Sequence, residues 1–242
     1  MYNLIYKPYG ERSILIEWPQ DISEKILYYV LSFKRKITES KIEGLAEVNH
    51  AYCSLLITYR SSWLGFVKSV EVLKSLYKTG EISLNSTFRL WKIPVCYDIS
   101  FGIDLEGLAN ANSLTVKNII ETHSQKIYTV YFVGFLPGFL YLGGLDESLF
   151  HPRKANPRLK IEKGSVAIGG NQTGVYPTES PGGWNIIGNS PINFFNIKNE
   201  APCFASSGDQ IQFYPISKNE HTDIKTLVEA GVYQIESEVI HD

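Results

Sequence analysis

Gly134-Phe135-Leu136-Pro137-Gly138-Phe139-Leu140-Tyr141-Leu142-Gly143-Gly144-Leu145 alternates chain breakers with aromatic and aliphatic anchors. Glycine opens backbone shapes closed to other residues, and proline fixes φ. Such a run builds a rigid turn carrying large apolar groups, and it also reads as a buried corner of a barrel. The breakers continue downstream. Between Gly134 and Pro191 lie 11 of the 19 glycines and 6 of the 11 prolines, so long helices are excluded there. Ser165–Ile168, Trp184–Ile187, Asn193–Ile197 and Gln210–Tyr214 are short strand candidates between the breakers. That spacing predicts a compact β-barrel with elaborate loops.

Upstream, Ile127–Val133 alternates like a strand and Phe88–Cys96 starts another. Asp104–Ala111 and Val116–His123 read as short helices, with Thr115 capping the second because its hydroxyl can accept an early backbone N–H. The first third has a different rhythm. Strands Asn3–Lys7 and Arg12–Trp18 flank a turn at Pro8-Tyr9-Gly10, and a helix spans Ser23–Ile37. Strands Leu45–Asn49 and Ser54–Tyr59 follow, then a helix over Trp63–Lys78 with Gly80 just past its end. The order β-β-α-β-β-α suits a small sheet with helices on one face. The polar segment Glu81–Thr87 marks the boundary. The expectation is an α+β chain, with a small N-terminal α/β domain over residues 1–84 and a β-barrel domain over residues 85–242.

Of the 242 residues, 44% are hydrophobic and 20% charged, with a net charge of −2. These values suit a chain that buries a real core and speak against a disordered or nucleic-acid-coating protein. No apolar run reaches the roughly 18 residues a membrane span needs. The N-terminus lacks the layout of a signal peptide. Cys53, Cys96 and Cys203 are odd in number and far apart, as expected of free thiols in a reducing compartment. A soluble, cytoplasmic protein is expected, bound to neither nucleic acid nor membrane.

Several residues can carry chemistry. Arg153 and Arg158 each follow a proline, five residues apart, and fixed guanidinium forks grip carboxylates or phosphates in bidentate fashion. Both also read as ordinary surface arginines. Gly164–Pro177 runs from a strand into a loop rich in glycine and amides, where backbone N–H groups can form an anion-binding nest. Gln172, Thr173 and Tyr176 add oriented hydrogen-bonding groups. The loop is no Walker motif, since the Gly-Lys-Ser/Thr ending is missing. Trp184 follows the tight turn Pro181-Gly182-Gly183 and is either a core anchor or a stacking platform. His123 ends a helix with an apolar side, as a packed residue or as a general acid/base. Asp98, Asp104 and Glu106 suit turns and a helix start better than a cation. No His/Cys/Asp cluster has zinc spacing, and no serine nucleophile elbow is present.

Taken together, Gly134–Leu142, Pro152/Arg153 with Pro157/Arg158, Gly164–Gly170, Thr173–Pro177 and Ser180–Trp184 resemble one family. It is the B subunit of bacterial ATP-dependent 5-oxoprolinase, also described as allophanate hydrolase subunit 1, and it includes the sporulation-kinase inhibitor KipI. Weaker echoes at Tyr9-Gly10, Ile93–Tyr97, His123-Ser124 and Gly208-Asp209 extend the match over almost the whole chain. The sequence departs from the family at Asp98-Ile99-Ser100, at Ile161-Glu162-Lys163, and at Asn185 and Asn189, where arginines are frequent.

The resemblance implies a cyclophilin-like barrel after the α/β domain, working beside the A and C subunits. The assembly would open 5-oxo-L-proline to L-glutamate while hydrolysing ATP, with ATP bound mainly by a partner. In this reading Arg158 holds the substrate carboxylate, and the Gly169–Gly174 nest stabilises an oxyanion. His123, Gln172 and Tyr176 orient the lactam or shuttle a proton. Pro137, Gly138, Arg153, Gly169, Gly170, Thr173, Gly174 and Trp184 line the substrate. Neither metal nor biotin is expected in this chain. The family also admits a KipI-like inhibitor of a sensor histidine kinase and a carboxyltransferase-type module acting on urea or allophanate-like amides.

Overall fold

The computed structural model describes residues 1–60, 63–79 and 87–240. The chain divides into two compact units, Met1–Ser86 and Thr87–Asp242. The expected boundary segment, apart from Thr87, and the Gly80 helix stop lie outside the described residues.

The first unit runs β1 (Ile5–Tyr9), β2 (Ser13–Glu17), α1 (Glu24–Glu39), β3 (Leu45–His50), β4 (Ser54–Tyr59) and α2 (Phe66–Lys78). Its antiparallel sheet has the order β1-β2-β4-β3. Strand alternation sends Ile14, Ile16, Leu55 and Ile57 to one face, where all are fully buried. They pack against Ile26, Val30, Phe33 and Ile37 of α1 and Leu73 of α2. Each such side chain contributes roughly 1.5–3 kcal/mol on burial. β1 starts and ends later than expected, because Pro8 sits on an edge strand where a missing ladder donor is tolerated. The turn falls at Gly10 with φ 61°.

The second unit runs β5 (Phe88–Val95), α3 (Leu105–Ala111), α4 (Val116–Gln125), β6 (Ile127–Val133), β7 (Leu140–Gly143), β8 (Arg158–Ile161), β9 (Ser165–Gly169) and β10 (Gln172–Val175). It continues with β11 (Ser180–Gly182), β12 (Asn185–Asn189), β13 (Gln210–Pro215), α5 (Lys218–Glu229) and β14 (Ser237–Ile240). A five-stranded sheet, β14-β5-β13-β6-β7, faces a three-stranded sheet, β10-β9-β12, across one core that includes Ile93, Tyr128, Val130, Leu140, Val166, Ile168 and Phe213. The sheets meet where Cys96 bridges Asn189 and where β7 runs beside β10. The strands therefore encircle the core without one continuous ladder. β8 and β11 form a small outer ribbon.

Local chemistry explains the elements. Thr115 caps α4 in a reciprocal box with Asn118. Asp209, mostly buried, accepts from the Arg89 and Ser206 amides and from the Trp91 indole, pinning the start of β5. Asn193–Ile197, expected as a strand, is a loop: Phe194 is a buried anchor, and the Asn196 carboxamide takes the Lys198 amide in a local turn. Helix α5 is an addition to the sequence-based expectation. Its signal is the capping box Ser217 to Glu220. Among the described residues no helix is long and apolar enough to cross a membrane.

Candidate functional site

The glycine and proline corners gather five sequence segments around one aromatic cluster. Phe139, from the Gly134–Leu142 run, stands edge-on to Tyr176 at 5.7 Å and to Trp184 at 5.6 Å. Ala167, Ile161 and Ile186 fill the gaps between them. Gly169 lies beneath Trp184, where a Cβ would meet the indole at 2.5 Å. At Gly182 a Cβ would meet the Tyr176 hydroxyl at 2.3 Å, and at Gly174 it would sit tightly, at 3.2–3.3 Å, against Leu140, Phe139 and Trp184. These glycines are small because the rings need the space.

Arg153 lies over this cluster. Its guanidinium sits 5.5 Å from the Trp184 ring centroid, and the side chain is exposed. It forms no ion pair among the described residues. Tyr141, stacked on Phe132 at 4.1 Å, lies within its field, and the Arg153 charge favours the Tyr141 phenolate, although burial dominates and raises that pKa. Phe135 completes the edge: it is 65% exposed, holds the left-handed conformation at φ 63°, and touches Phe139 edge-on. A bulky residue there is strained, and such strain clusters at binding surfaces. Pro137 is exposed, whereas Gly138, with φ 84°, is buried against Phe194 and Phe195.

Arg158 is engaged elsewhere. Its fork makes two bonds to Asp104, of 2.9 and 2.8 Å. Lys154 reaches the same carboxylate at 2.8 Å, and the Ile186 amide donates to it at 2.7 Å. Burial alone would raise the Asp104 pKa, but the bonds from Arg158, Lys154 and Ile186 outweigh it and hold the carboxyl below its ordinary value. Asp104 is thus the N-cap of α3 without a capping bond, its oxygens being used across the fold. Arg158, expected to grip substrate, instead ties β8 to α3 and β12. The sequence gives no local sign of this pairing, since 54 residues separate the partners.

The Gly169–Gly174 loop is a hairpin and not an anion nest. Gln172 pairs with Gly169 in the ladder of β9 and β10. Gly170 and Asn171 form a two-residue turn, with Gly170 at φ 68° as a type II′ turn requires. The Gly170 amide donates to the His151 carbonyl at 2.7 Å, so it is not available to an oxyanion. Gln172 is half-buried at the end of this hairpin.

His123, Thr173 and Tyr176 lie inside. Thr173 donates its hydroxyl to the Ala167 carbonyl at 3.1 Å, so it accepts from His123 Nε2 at 2.8 Å. Nδ1 is then unprotonated and accepts from the Tyr97 hydroxyl at 2.7 Å. Phe213 stacks on the ring at 4.8 Å. With no exposure and both nitrogens engaged, His123 is a framework residue here and not a solvent-facing base. Burial drives its pKa down to about 3. The Tyr176 hydroxyl accepts from the Trp184 amide, and burial raises its pKa.

A stability test follows for His123. Its folded pKa lies below the unfolded value of about 6.5, so the unfolded chain binds the extra proton. The contribution is complete above about pH 6.5 and is lost as pH falls toward 3. Thermal melts of His123→Gln are expected to fall less steeply than wild type between about pH 6.5 and 4. Parallel curves contradict the buried neutral ring.

Residues 4–205 match the carboxyltransferase domain, subdomain C and D. The chain is 33% identical over 222 residues to the 5-oxoprolinase B subunit of Bacillus subtilis, covering 88% of this chain and 92% of that protein. It is 35% identical over 208 residues to the 5-oxoprolinase B subunit of Haemophilus influenzae, covering 85% and 95%. In fold it is similar to the Kluyveromyces lactis urea carboxylase, with a TM-score of 0.85 at 19% identity, over 99% of this chain and 24% of that one. With the α+β architecture and the clustered motifs, these matches establish that the chain belongs to the 5-oxoprolinase B-subunit family of carboxyltransferase subdomain C and D proteins.

Proposed function

We propose that this chain is the B subunit of an ATP-dependent 5-oxoprolinase, and that its Arg153 face forms one wall of a site shared with the A and C subunits. The observation that carries this reading is Arg153 itself. It is a cation held over Trp184 and left without a carboxylate of its own among the described residues, while neighbouring Arg158 is consumed by Asp104. A planar lactam carboxylate fits a guanidinium fork in bidentate geometry, and its ring can lie on the aromatic edge of Tyr141 and Phe132. The exposed, strained Phe135, edge-on to Phe139 of the same aromatic cluster, gives a partner subunit an apolar anchor.

ATP belongs to a partner in this scheme, because the loop amides that could hold phosphate are committed to the hairpin and to His151. Transfer of the γ-phosphoryl group to the lactam oxygen makes the ring carbon a good electrophile. Water then adds to that carbon and the C–N bond opens, the nitrogen leaving as the amine and the carbonyl as an acyl phosphate; a second water releases phosphate, giving glutamate, ADP and phosphate. This subunit's share is to bind and orient the substrate.

The test is reconstitution. The isolated chain is expected to hydrolyse neither ATP nor 5-oxoproline, whereas a mixture with candidate A and C subunits releases glutamate only when ATP is present. Turnover by this chain alone, or by the A and C subunits without it, overturns the proposal.

A further inference from the structure

Arg153 reaches over Trp184 from a short strap, residues 150–154, that lies outside the named helices and strands. A side chain on such a segment leaves in the direction of its Cα–Cβ bond, and that bond is set by the two rigid peptide planes flanking the residue. Both planes beside Arg153 are pinned. The Pro152 carbonyl, in the preceding plane, accepts from Asn185 Nδ2 at 3.0 Å. The Lys154 amide, in the following plane, donates to the Gly183 carbonyl at 2.7 Å. Gly183 and Asn185 are the sequence neighbours of Trp184. One tripeptide therefore supplies both backbone anchors and the ring beneath the guanidinium.

The two anchors differ in kind. The Gly183 anchor is a backbone carbonyl, which any residue supplies. The Asn185 anchor is a side chain, 4% exposed, and both hydrogens of its amide are engaged, the second by the Ile168 carbonyl on β9 at 3.2 Å. Both partners are carbonyl oxygens, so the amide has one orientation only; flipped, it would set oxygen against oxygen. The ends of the strap are held as well. His151 and Gly170 exchange two backbone bonds, of 3.0 and 2.7 Å, and Lys154 Nζ reaches Asp104 at 2.8 Å.

We infer that Asn185 is a positioning residue: by fixing the Pro152–Arg153 peptide it aims the Arg153 fork at the substrate carboxylate without touching the substrate. Arg153 has no ion pair among the described residues to steady it, so its aim depends on its backbone and on Trp184. A bidentate pair needs both N–H bonds aligned at once, and a small turn of the backbone becomes a large displacement at the end of a long side chain. The inference rests on the reading of Arg153 as the group that binds substrate.

A double-mutant cycle on the three-subunit mixture tests it. Asn185→Leu keeps a branched side chain and removes both donors. With Arg153 in place it is expected to lower kcat/KM for 5-oxoproline about tenfold, as a cation without an aligned fork does. In the Arg153→Ala background it is expected to change kcat/KM by less than about twofold, because no fork is left to aim. A residue that only braces the fold gives the same loss in both backgrounds. Thermal melts set an assay temperature at which every variant is folded. Should Asn185→Leu fail to fold, Asn185→Ser, which keeps one short donor, takes its place, with about a threefold loss that again vanishes without Arg153. Equal losses in the two backgrounds, or no loss with Arg153 in place, overturn the inference and leave the reading of Arg153 standing. Wild-type kinetics in Arg153→Ala alone overturn both.

Discussion

In the assembled enzyme, Arg153→Ala is expected to lower kcat/KM for 5-oxoproline by about 30- to 100-fold while leaving the isolated chain folded. A hydrogen bond to a charged group contributes roughly 1.5–3 kcal/mol, and a bidentate guanidinium–carboxylate pair lies at the upper end of that range. About 2–2.7 kcal/mol lost from the transition state corresponds to the stated loss. The fold should barely register the change. Arg153 is exposed, and its contact with Trp184 is worth about 0.5–1 kcal/mol at such a site. Arg153→Lys keeps the charge and loses the fork, so about a tenfold loss is expected. Glutamate-release kinetics on the three-subunit mixture, with melting of the isolated chain, measure both halves. Wild-type kinetics in Arg153→Ala would remove Arg153 from the site.

Asp104→Ala is expected to do the reverse, lowering stability first. It strands the Arg158 and Lys154 cations and leaves the Ile186 amide without its acceptor. Breaking a buried pair by removing one partner costs roughly 3–5 kcal/mol. The two cations are about 30% exposed and can recruit water, so about 2–3 kcal/mol is the expected loss. For a domain of this size that corresponds to a fall in Tm of about 4–12 °C. The pH dependence has a definite sign. The Asp104 pKa is lower in the folded state, so its contribution is present above about pH 3.8 and is lost as pH falls below that value. Asp104→Ala should therefore show a weaker acid limb than wild type. Equal melting of the two proteins at neutral pH would contradict the bracing role.

The two arginines look alike in sequence, each following a proline, yet Arg158 is joined to Asp104 whereas Arg153 lies over Trp184 with no ion pair among the described residues. Nothing local distinguishes them, because the deciding partner of Arg158 is Asp104, brought near only by folding. The corner at Gly134–Leu145 and the Pro181-Gly182-Gly183 turn are legible, since glycine and proline report backbone shape directly. Their convergence on Phe139, Tyr176 and Trp184 follows from the family resemblance more than from spacing. The Gly169–Gly174 loop reads as a nest because glycines and amides suit both structures. The deciding feature is a Gly-Asn pair between two β-rich runs, which favours a hairpin. Helix α5 is obscured by a polar sequence with a weak apolar stripe, although Ser217 and Glu220 announce its start. Burial of His123 is half visible in the apolar side of α4, whereas its bonds to Tyr97 and Thr173 are long-range.

The most direct test is a structure of the three subunits assembled with 5-oxoproline bound. The substrate carboxylate should lie within bidentate hydrogen-bonding distance of Arg153, beside Tyr141, with Arg158 still joined to Asp104. A carboxylate held by Arg158, or a substrate enclosed entirely by the partner subunits, would contradict the shared site on this face.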